Sequence, residues 1–429
     1  MTDEAETLSP ISCVPTEILF NVFFFLPVKE LIKCRGVCIR WKIIVDKLIG
    51  NENFWLNTCQ REFNDYYRTA KKKAHPDLSW YYLYRSLSLW PKLAEATEEV
   101  DEFASAYRIS DEVRSVEVLG NRILGVHRKR AIEYFYGDTF KEVPRGSISG
   151  DYARYTENDS VIVIQSYQLH LFIIRKVLNN PSDEQNATFD NVKMYLLTNT
   201  ELYYVKLNDE IYVCNVYNCE KITHKFMKRA EDLDGVMSLG YKDGCLNVLT
   251  YQRNIYTIVN NKDMVFKQSV TNERNILNIL YNYNFLENLD WRVYFQWMYV
   301  LHHKLPQGPM REIIVVRYYG DLFFVGTTYG VLSIFYRPFV NGEIDFFNSQ
   351  PLREINFMIR SDIPVLATCP ILQIDVIETE KGHTVFVAMP KKVAVLKYTH
   401  NFVNPACFMK QTSPYSEMEL RQNVNDTSD

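Results

Sequence analysis

Short runs of β-branched and aromatic residues, bounded by Gly, Asn and Asp, fill the chain from about residue 100 onward. Such runs and boundaries are the sequence signals of strands and turns. The predicted strands are 113–118, 122–126, 160–164, 169–174, 192–198, 202–206, 211–216, 245–250, 255–259, 313–317, 322–327, 331–336, 384–388 and 393–398. Because almost no helical pattern lies between them, this part of the chain is expected to be antiparallel.

Several of these runs form one repeated unit, in which a strand, a tight polar turn and an aromatic-containing strand follow each other. The unit starts near residues 161, 192, 246, 322 and 385, so its spacing is irregular. Blades of about 40 to 45 residues would give about seven of them within residues 101–410. We therefore predict a β-propeller, which closes a series of hairpins without long exposed edges. A β-sandwich or a pair of sheets is the alternative.

A segment near the N-terminus has helical rather than strand periodicity. Pro15 and Glu17 suit a first helical turn, where a missing amide costs nothing and a negative charge meets the positive end of the helix. Apolar residues then recur at spacings of three and four until Pro27, and two more short helices follow. The first helix has more apolar side chains than so small a bundle can cover, which predicts a binding surface. A helical cap on a larger domain is the alternative.

This segment resembles an F-box. The residues that match the F-box pattern in order are Pro15, Glu17, Ile18, Leu19, Val22, Phe23, Leu26, Pro27, Leu31, Cys34, Val37, Cys38 and Trp41. Two positions depart from it, because Val14 replaces the usual Leu and Ile39 stands where a basic residue is common. The resemblance implies that these residues bind a Skp-type adaptor and, through it, a cullin-based ubiquitin ligase of the SCF type.

The resemblance covers about the first ninety residues, because Asn53-Phe54-Trp55 and Leu78-Ser79-Trp80 look like the linker that follows many F-boxes. The predicted fold is an α+β multidomain arrangement. It has a small all-α F-box of three helices at residues 10–56, a helical linker at 57–100, a large all-β domain at 101–410 and a disordered tail at 411–429. The all-β domain resembles a divergent WD-repeat ring only loosely, because its strands have no Trp-Asp ending.

Charge and composition argue against several classes of partner. The net charge is −4, and the longest basic tracts are triplets such as Lys71-Lys72-Lys73, so nucleic acid is not an expected partner. The longest apolar stretch, residues 18–28, is too short to span a membrane, and the acidic N-terminus is unlike a signal sequence. We therefore expect no membrane contact and a cytoplasmic or nuclear location, in which the nine cysteines are reduced.

The chain has no phosphate-binding Gly-rich loop, nucleophile elbow or zinc-protease motif, so we predict no catalytic residues, no metal site and no cofactor. Cys214 with Cys219 has no second pair at ligand spacing, and the adjacent His302 and His303 would point to opposite sides of a strand. Both pairs are interpreted as structural. A catalytic propeller stays open as an alternative, because residues distant in sequence can converge in a ring.

The predicted function is substrate recognition: the F-box docks on the adaptor while the β-rich domain holds a protein substrate of unknown identity. An F-box scaffold that acts outside any ligase is the alternative. The aromatic-rich segment 275–305 is interpreted first as packing and second as a binding surface. Arg154, Arg253, Arg317 and Arg337 are further candidates, since propeller receptors often bind phosphorylated segments through arginines on one face.

Overall fold

A computed structural model describes residues 14–63, 66–144, 147–176, 186–217, 222–229, 235–259, 263–270, 276–285, 313–346, 348–357 and 369–401. The predicted tail at 411–429 lies outside these residues, as does most of the aromatic-rich segment 275–305. Among the described residues, no helix is both long and apolar enough to cross a membrane.

Three short helices form an N-terminal bundle, as the sequence predicts: α1 Thr16–Phe24, α2 Val28–Cys34 and α3 Ile39–Ile49. Pro15 and Pro27 stand at the N-caps of α1 and α2, where the missing amide hydrogen would have no helical partner. The apolar sides of the three helices form one core, which includes Leu19, Phe23, Leu31, Ile44, Val45 and Leu48.

Three more helices and a turn form the linker: α4 Glu52–Glu62, α5 Tyr66–Lys73, α6 Trp80–Leu89 and the 3-10 turn Trp90–Glu95. The side chains of Asn51 and Ser79 cap α4 and α6, because each accepts a hydrogen bond from a backbone amide in the first turn. Trp55 of α4 lies in the core of the N-terminal bundle, and its indole nitrogen donates to the Ile49 carbonyl at 2.7 Å. The bundle and the start of the linker therefore pack as one unit.

The rest of the described chain consists mainly of six antiparallel sheets of four strands, here called blades 1 to 6. Blade 1 contains β2 Val113–Val118, β3 Ile123–Arg128, β4 Ala131–Tyr136 and β5 Ile148–Ser149; blade 2 contains β6 Arg154–Glu157, β7 Val161–Gln165, β8 Leu171–Arg175 and β9 Ala187–Phe189; blade 3 contains β10 Val192–Leu197, β11 Glu201–Lys206, β12 Glu210–Asn215 and β13 His224–Arg229.

The other three blades follow the same strand order with two additions. Blade 4 contains β14 Val236–Lys242, β15 Cys245–Thr250, β16 Asn254–Val259 and β17 Asp263–Ser269; blade 5 contains β18 Ile313–Tyr319, β19 Leu322–Thr327, β20 Val331–Tyr336 and β23 Arg353–Asn356; blade 6 contains β24 Gln373–Glu378, β25 Gly382–Met389, β26 Lys392–Thr399 and β1 Thr97–Phe103. The additions are helix α7 Ile276–Asn282 before blade 5 and the hairpin β21 Phe339–Val340 with β22 Glu343–Ile344 within it.

The blades close into a ring, because the first strand of the chain pairs with the last. Strand β1 pairs with β26 from Thr97 opposite Thr399 to Phe103 opposite Val393. Each blade also shares a buried cluster with the next one: Ile132 with Ile162, Val163 with Tyr204, Tyr203 with Val248, Leu249 with Phe323, Phe324 with Val387, and Phe386 with Val116. This closed arrangement is the predicted β-propeller, and it excludes the alternatives of a β-sandwich and a pair of sheets.

The described residues form six blades, one fewer than the predicted number of about seven. The estimate divided the length of the domain by a typical blade length. Residues 270–312, between β17 and β18, add length and helix α7 without a sheet among their described part, and the β21–β22 hairpin lengthens blade 5. Blades 4 and 5 share a buried cluster across this insertion, so the ring is continuous there.

One boundary in the sequence interpretation needs correction. Residues 97–100, assigned to the helical linker, belong to strand β1. The acidic sequence of β1 is exposed at most positions, so it lacks the apolar alternation that marks a strand. In the described part of the aromatic-rich segment, Tyr281 and Phe285 pack with Phe323 of blade 5, which agrees with the interpretation as packing.

Candidate functional site

The N-terminal bundle exposes an unusual number of large apolar side chains. Ile18 and Val22 of α1 and Phe25 at its C-cap follow each other at spacings of four and three and are 51%, 52% and 72% exposed. Val37, Ile39 and Ile43, around the start of α3, are exposed by 63% or more. These six residues are called the apolar set below. A surface helix normally turns such residues toward its core, so the apolar set indicates a surface that a partner covers.

The structure divides the thirteen residues predicted for adaptor binding into three groups. Leu19, Phe23 and Leu31 are buried in the bundle core. Leu26, Cys34 and Trp41 are partly buried. The exposed members are Pro15, Glu17, Ile18, Val22, Pro27, Val37 and Cys38. The pattern therefore mixes residues that shape the bundle with residues that a partner can reach.

The apolar set also contains Phe25, Ile39 and Ile43, which are not among the thirteen residues predicted for adaptor binding. Phe25 lies three residues after Val22, at the C-cap of α1, and it is one of the apolar side chains that are too numerous for so small a bundle to cover. Ile39 was noted only as a departure from the usual basic residue. Because Ile39 is 72% exposed, it enlarges the apolar surface at a position where a basic residue is common.

Arginine side chains hold the bundle in this arrangement. Arg40 of α3 donates to the Val14 carbonyl at 2.5 Å, next to the start of α1. Arg35 pairs with Asp46 at 2.6 Å. Arg61 of α4 donates to the carbonyls of residues 24, 25 and 26, which follow the end of α1 and have no helical partner of their own. The linker therefore helps to fix the helix that carries half of the apolar set.

The linker covers one end of the propeller, here called the linker face. At this end lie the turns that follow the innermost strands β2, β6, β10, β18 and β24. Lys72 of α5 contacts Asp159 at 3.0 Å and Asn199 at 3.4 Å, and Arg85 of α6 donates to the Glu380 carbonyl at 2.5 Å. Gly320 packs against the ring of Tyr66. These contacts join the N-terminal helices to blades 2, 3, 5 and 6.

A buried polar cluster fixes the end of the linker to blade 6. Glu378 accepts hydrogen bonds from the Trp90 indole nitrogen at 2.8 Å and from the Ser86 hydroxyl, and it also contacts His383 Nδ1 at 2.7 Å. Burial acts to raise the pKa of Glu378, but the charge of His383 and these hydrogen bonds outweigh it and lower the pKa. The indole also stacks on the His383 ring, with 3.7 Å between the ring centroids.

A cavity of about 790 Å³ lies inside the ring beneath helix α5, and all six innermost strands contribute to its wall. Its charged lining residues are Arg68, Lys72, Lys73, Arg154, Lys176 and Arg317 with Glu117, Glu157, Asp159 and Asp375. Lys73 of α5 pairs with Asp375 at 2.5 Å, and Asp375 also accepts from the amides of Val118 and Val376. Glu157 accepts from Lys176, Tyr134 and Tyr155.

Carboxylates therefore do converge inside the ring, which is the arrangement that the catalytic alternative requires. Asp375, Asp159 and Glu157 hold lysines, and two of those lysines belong to the linker helix above them. Glu117 has a pKa raised to about 7, chiefly because it is surrounded by protein and lies near Asp375 and Glu157, although Lys73 and Arg317 act in the opposite direction. The cavity is thus the place where the linker is anchored by charge.

The opposite end of the propeller, here called the open face, carries the turns between the second and third strands of each blade. These turns are 129–130, 166–170, 207–209, 251–253, 328–330 and 390–391. They contact the segments that enter the innermost strands: Asp209 accepts from the Val236 amide at 2.9 Å, and His170 contacts Asp190 at 2.6 Å. Large exposed apolar residues at this end are Tyr107, Ile109, Tyr167, Leu207, Tyr251 and Tyr329.

The remaining sequence candidates do not form one site. Arg154 and Arg317 line the cavity, Arg253 lies in a turn of the open face, and Arg337 pairs with Asp321 at 2.7 Å. Cys214 is buried in the core between blades 2 and 3. Its proposed neighbour Cys219, and the pair His302 and His303, lie outside the described residues. Within the described part of the chain, no group of three or more potential metal ligands occurs.

A family comparison matches residues 11–53 to the F-box domain. The N-terminal helices are an F-box domain. The F-box therefore spans α1, α2 and α3 and includes the whole apolar set, and the linker helices join it to the propeller. No curated protein matches the chain by sequence.

Solved structures that are similar to this chain include the β-propeller domain of Cps50 (Swd1) from Myceliophteria thermophila, with 7% identity and a TM-score of 0.38 over 71% of this chain and all of that one. The N-terminal domain of Nup159 has 11% identity and a TM-score of 0.36 over 67% and 76% of the two chains. Hsv2p of Kluyveromyces lactis has 14% identity and a TM-score of 0.30 over 68% and 75%. The propeller assignment rests on the sheet topology itself.

Proposed function

We propose that this protein is the substrate-recognition subunit of an SCF-type ubiquitin ligase. The F-box would bind a Skp-type adaptor and, through it, a cullin, while the propeller holds a protein substrate for ubiquitination and proteasomal degradation. The observation that carries the proposal is the apolar set on the F-box. Burial of one such side chain contributes about 1.5 to 3 kcal/mol, so a few of them suffice for a specific interface.

The propeller has the role of a non-catalytic receptor in this proposal, with no cofactor and no nucleic-acid partner. Three of the four cavity carboxylates support that role, because Asp375, Asp159 and Glu157 each pair with a lysine. We place the protein in the cytoplasm or nucleus, where SCF-type ligases would meet their substrates.

The connection between F-box and propeller favours presentation of a substrate in a fixed orientation. Contacts from α5 and α6 to the turns of the linker face, together with the Glu378 cluster, attach the F-box to one end of the ring. The open face lies at the other end of the blades. A substrate bound there would be held at the end of the propeller opposite the F-box.

Adaptor co-purification tests the first step. The double substitution Ile18→Asp and Val22→Asp changes two exposed residues, so we expect adaptor binding to be lost while the melting temperature stays within a few degrees. Leu19 is unsuitable for this test, because it is buried and its substitution would unfold the bundle. Ile109→Asp is the matched control, since Ile109 is 68% exposed but lies on the propeller. Retention of the adaptor by the folded double variant would refute the proposal.

Protein turnover tests the second step against a role as a scaffold. Cells that depend on the wild-type chain are compared with cells that carry the Ile18→Asp, Val22→Asp double variant. If the protein is a ligase subunit, proteins that bind the propeller should accumulate in cells that carry the variant. Proteasome inhibition should raise the level of these proteins in wild-type cells but not further in the variant cells. Bound proteins whose lifetimes are equal in both cell lines would indicate a scaffold instead.

A further inference from the structure

We propose that the open face binds an extended, unphosphorylated peptide segment whose aromatic or aliphatic side chains supply the main contacts and whose acidic residues lie toward blades 6 and 1. The proposal rests on the proposed function, because the segment would belong to the protein substrate. It differs from recognition of a phosphorylated segment by clustered arginines.

Four successive blades expose one large apolar side chain at the same turn. Tyr167 of blade 2, Leu207 of blade 3 and Tyr251 of blade 4 are 55%, 54% and 55% exposed, and Tyr329 of blade 5 is 44% exposed. A single exposed apolar residue needs no explanation, but equivalent positions in consecutive blades form a row across one face. Tyrosine is a common anchor at interfaces because it offers a large rigid area and loses little conformational entropy.

Two cations beneath this row, Arg114 and Lys193, already have partners. Arg114 donates to Asp151 at 3.1 Å, and its guanidinium lies 5.4 Å from the centroid of the Tyr167 ring. Lys193 pairs with Asp209, and its ammonium lies 5.6 Å from the centroid of the Tyr251 ring. These contacts hold the two rings in place and neutralise the charge under them. A phosphate group would gain little here, whereas an apolar side chain would meet supported rings.

Positive charge is exposed in the neighbouring sector, around the loop that enters blade 1. Arg108, Arg130 and Lys391 are exposed there, beside Tyr107 and Ile109. The Ala106 amide donates to the Lys391 carbonyl at 2.7 Å, and the Gly150 amide donates to the Arg130 carbonyl at 2.9 Å, which brings these segments together.

Asp111 and Glu112 belong to the same loop, so the excess of positive charge in this sector is small. A small excess suits single carboxylates of a peptide better than doubly charged phosphates. The ligand that fits both sectors therefore combines apolar side chains with Asp or Glu.

The test uses the full chain in complex with its adaptor and two peptide probes. The first is a phage-displayed library of random dodecapeptides, which carry no phosphate. The second is a synthetic array of random peptides that contain a fixed phosphoserine or phosphothreonine. We expect the first library to yield peptides with at least two aromatic or aliphatic residues and an acidic residue. Enrichment from the phosphorylated array alone, or from neither source, would overturn the proposal.

Variants then locate the site for the selected peptides. Tyr167→Ala with Tyr251→Ala should weaken binding at least about tenfold, because both are anchor positions. Tyr217→Ala is the matched control, since Tyr217 is 52% exposed but follows β12 at the linker-face end of blade 3. Arg130→Glu with Lys391→Glu should weaken binding severalfold and remove its dependence on salt. Equal affinity of the tyrosine double variant and the control would show that the peptides bind elsewhere.

The same samples separate this proposal from the proposed function. If the wild-type complex loses its adaptor during purification, the result counts against the ligase role. The peptide-binding result does not depend on that outcome. A complex that keeps its adaptor but binds no unphosphorylated peptide would count against the open-face proposal alone.

Discussion

Trp90 donates a 2.8 Å hydrogen bond from its indole nitrogen to Glu378, so a buried carboxylate of blade 6 holds the last turn of the linker. Both residues are at most 1% exposed. A carboxylate in such a position is stable only with several donors, and Ser86 and His383 supply the others. The F-box is therefore joined to the propeller by packing and by a buried polar cluster whose disruption would cost free energy.

The first prediction concerns this hydrogen bond. Trp90→Phe removes the indole donor and should lower the free energy of unfolding by about 2 to 3 kcal/mol, because it leaves a buried charged acceptor with fewer donors. Trp55→Phe is the comparison, since the Trp55 indole donates to a neutral carbonyl. The second change should cost about 1 kcal/mol less. Urea unfolding followed by circular dichroism measures both, and an equal loss in the two variants would contradict the prediction.

A second prediction follows from two buried histidines. Burial is the main cause that lowers the pKa of His127 and of His400 from 6.5 to about 4, with Arg114 acting on the first and His383 on the second. The unfolded chain binds protons at these residues below about pH 6.5, but the folded chain does so only near pH 4. Stability should therefore fall as the pH decreases through this window, by up to about 3 kcal/mol for each histidine.

Urea unfolding between pH 7.5 and 4.5 measures this effect. His127→Gln and His400→Gln should each reduce the slope of the unfolding free energy against pH, whatever they do to stability at pH 7.5. His75, whose side chain is 45% exposed, provides the control substitution His75→Gln. A slope that is identical in all four proteins would show that other groups cause the acid sensitivity.

The third prediction concerns Glu117 in the cavity and has the opposite sign. Its pKa is raised to about 7 by burial and by the nearby Asp375 and Glu157. The unfolded chain loses this proton at about pH 4.3, so the folded state is disfavoured as the pH rises from there to about 7. Glu117→Gln should raise the melting temperature at pH 8 by an amount that shrinks as the pH falls and disappears below about pH 4. Asp375→Asn, which breaks the pair with Lys73, should be destabilising at both values.

The sequence was sufficient for much of the fold but for little of the substrate site. All fourteen predicted strands overlap observed ones, because their apolar runs lie in the cores between blades. Strands such as β1 and β17 were missed, since their exposed residues carry no apolar alternation. Which F-box residues are buried and which are exposed is decided by three-dimensional packing and could not be predicted from the sequence. The same holds for the row of exposed apolar residues on the open face. Neighbouring residues of that row are forty or more positions apart in the sequence, and they share one face because successive blades pack side by side.

The last prediction tests how closely the linker fits the propeller. Gly320 and Gly244 both adopt positive φ angles, of 59° and 77°, in equivalent turns of blades 5 and 4. A methyl group at Gly244 would meet nothing within 4 Å, whereas at Gly320 it would lie 2.6 Å from the ring of Tyr66 in α5. Both Gly→Ala changes should cost about 1 kcal/mol because of the backbone conformation. Gly320→Ala should cost more and should increase hydrogen exchange in α5. Equal effects of the two substitutions would show that α5 can move away from blade 5 without loss, and the F-box would then be less firmly attached than the contacts indicate.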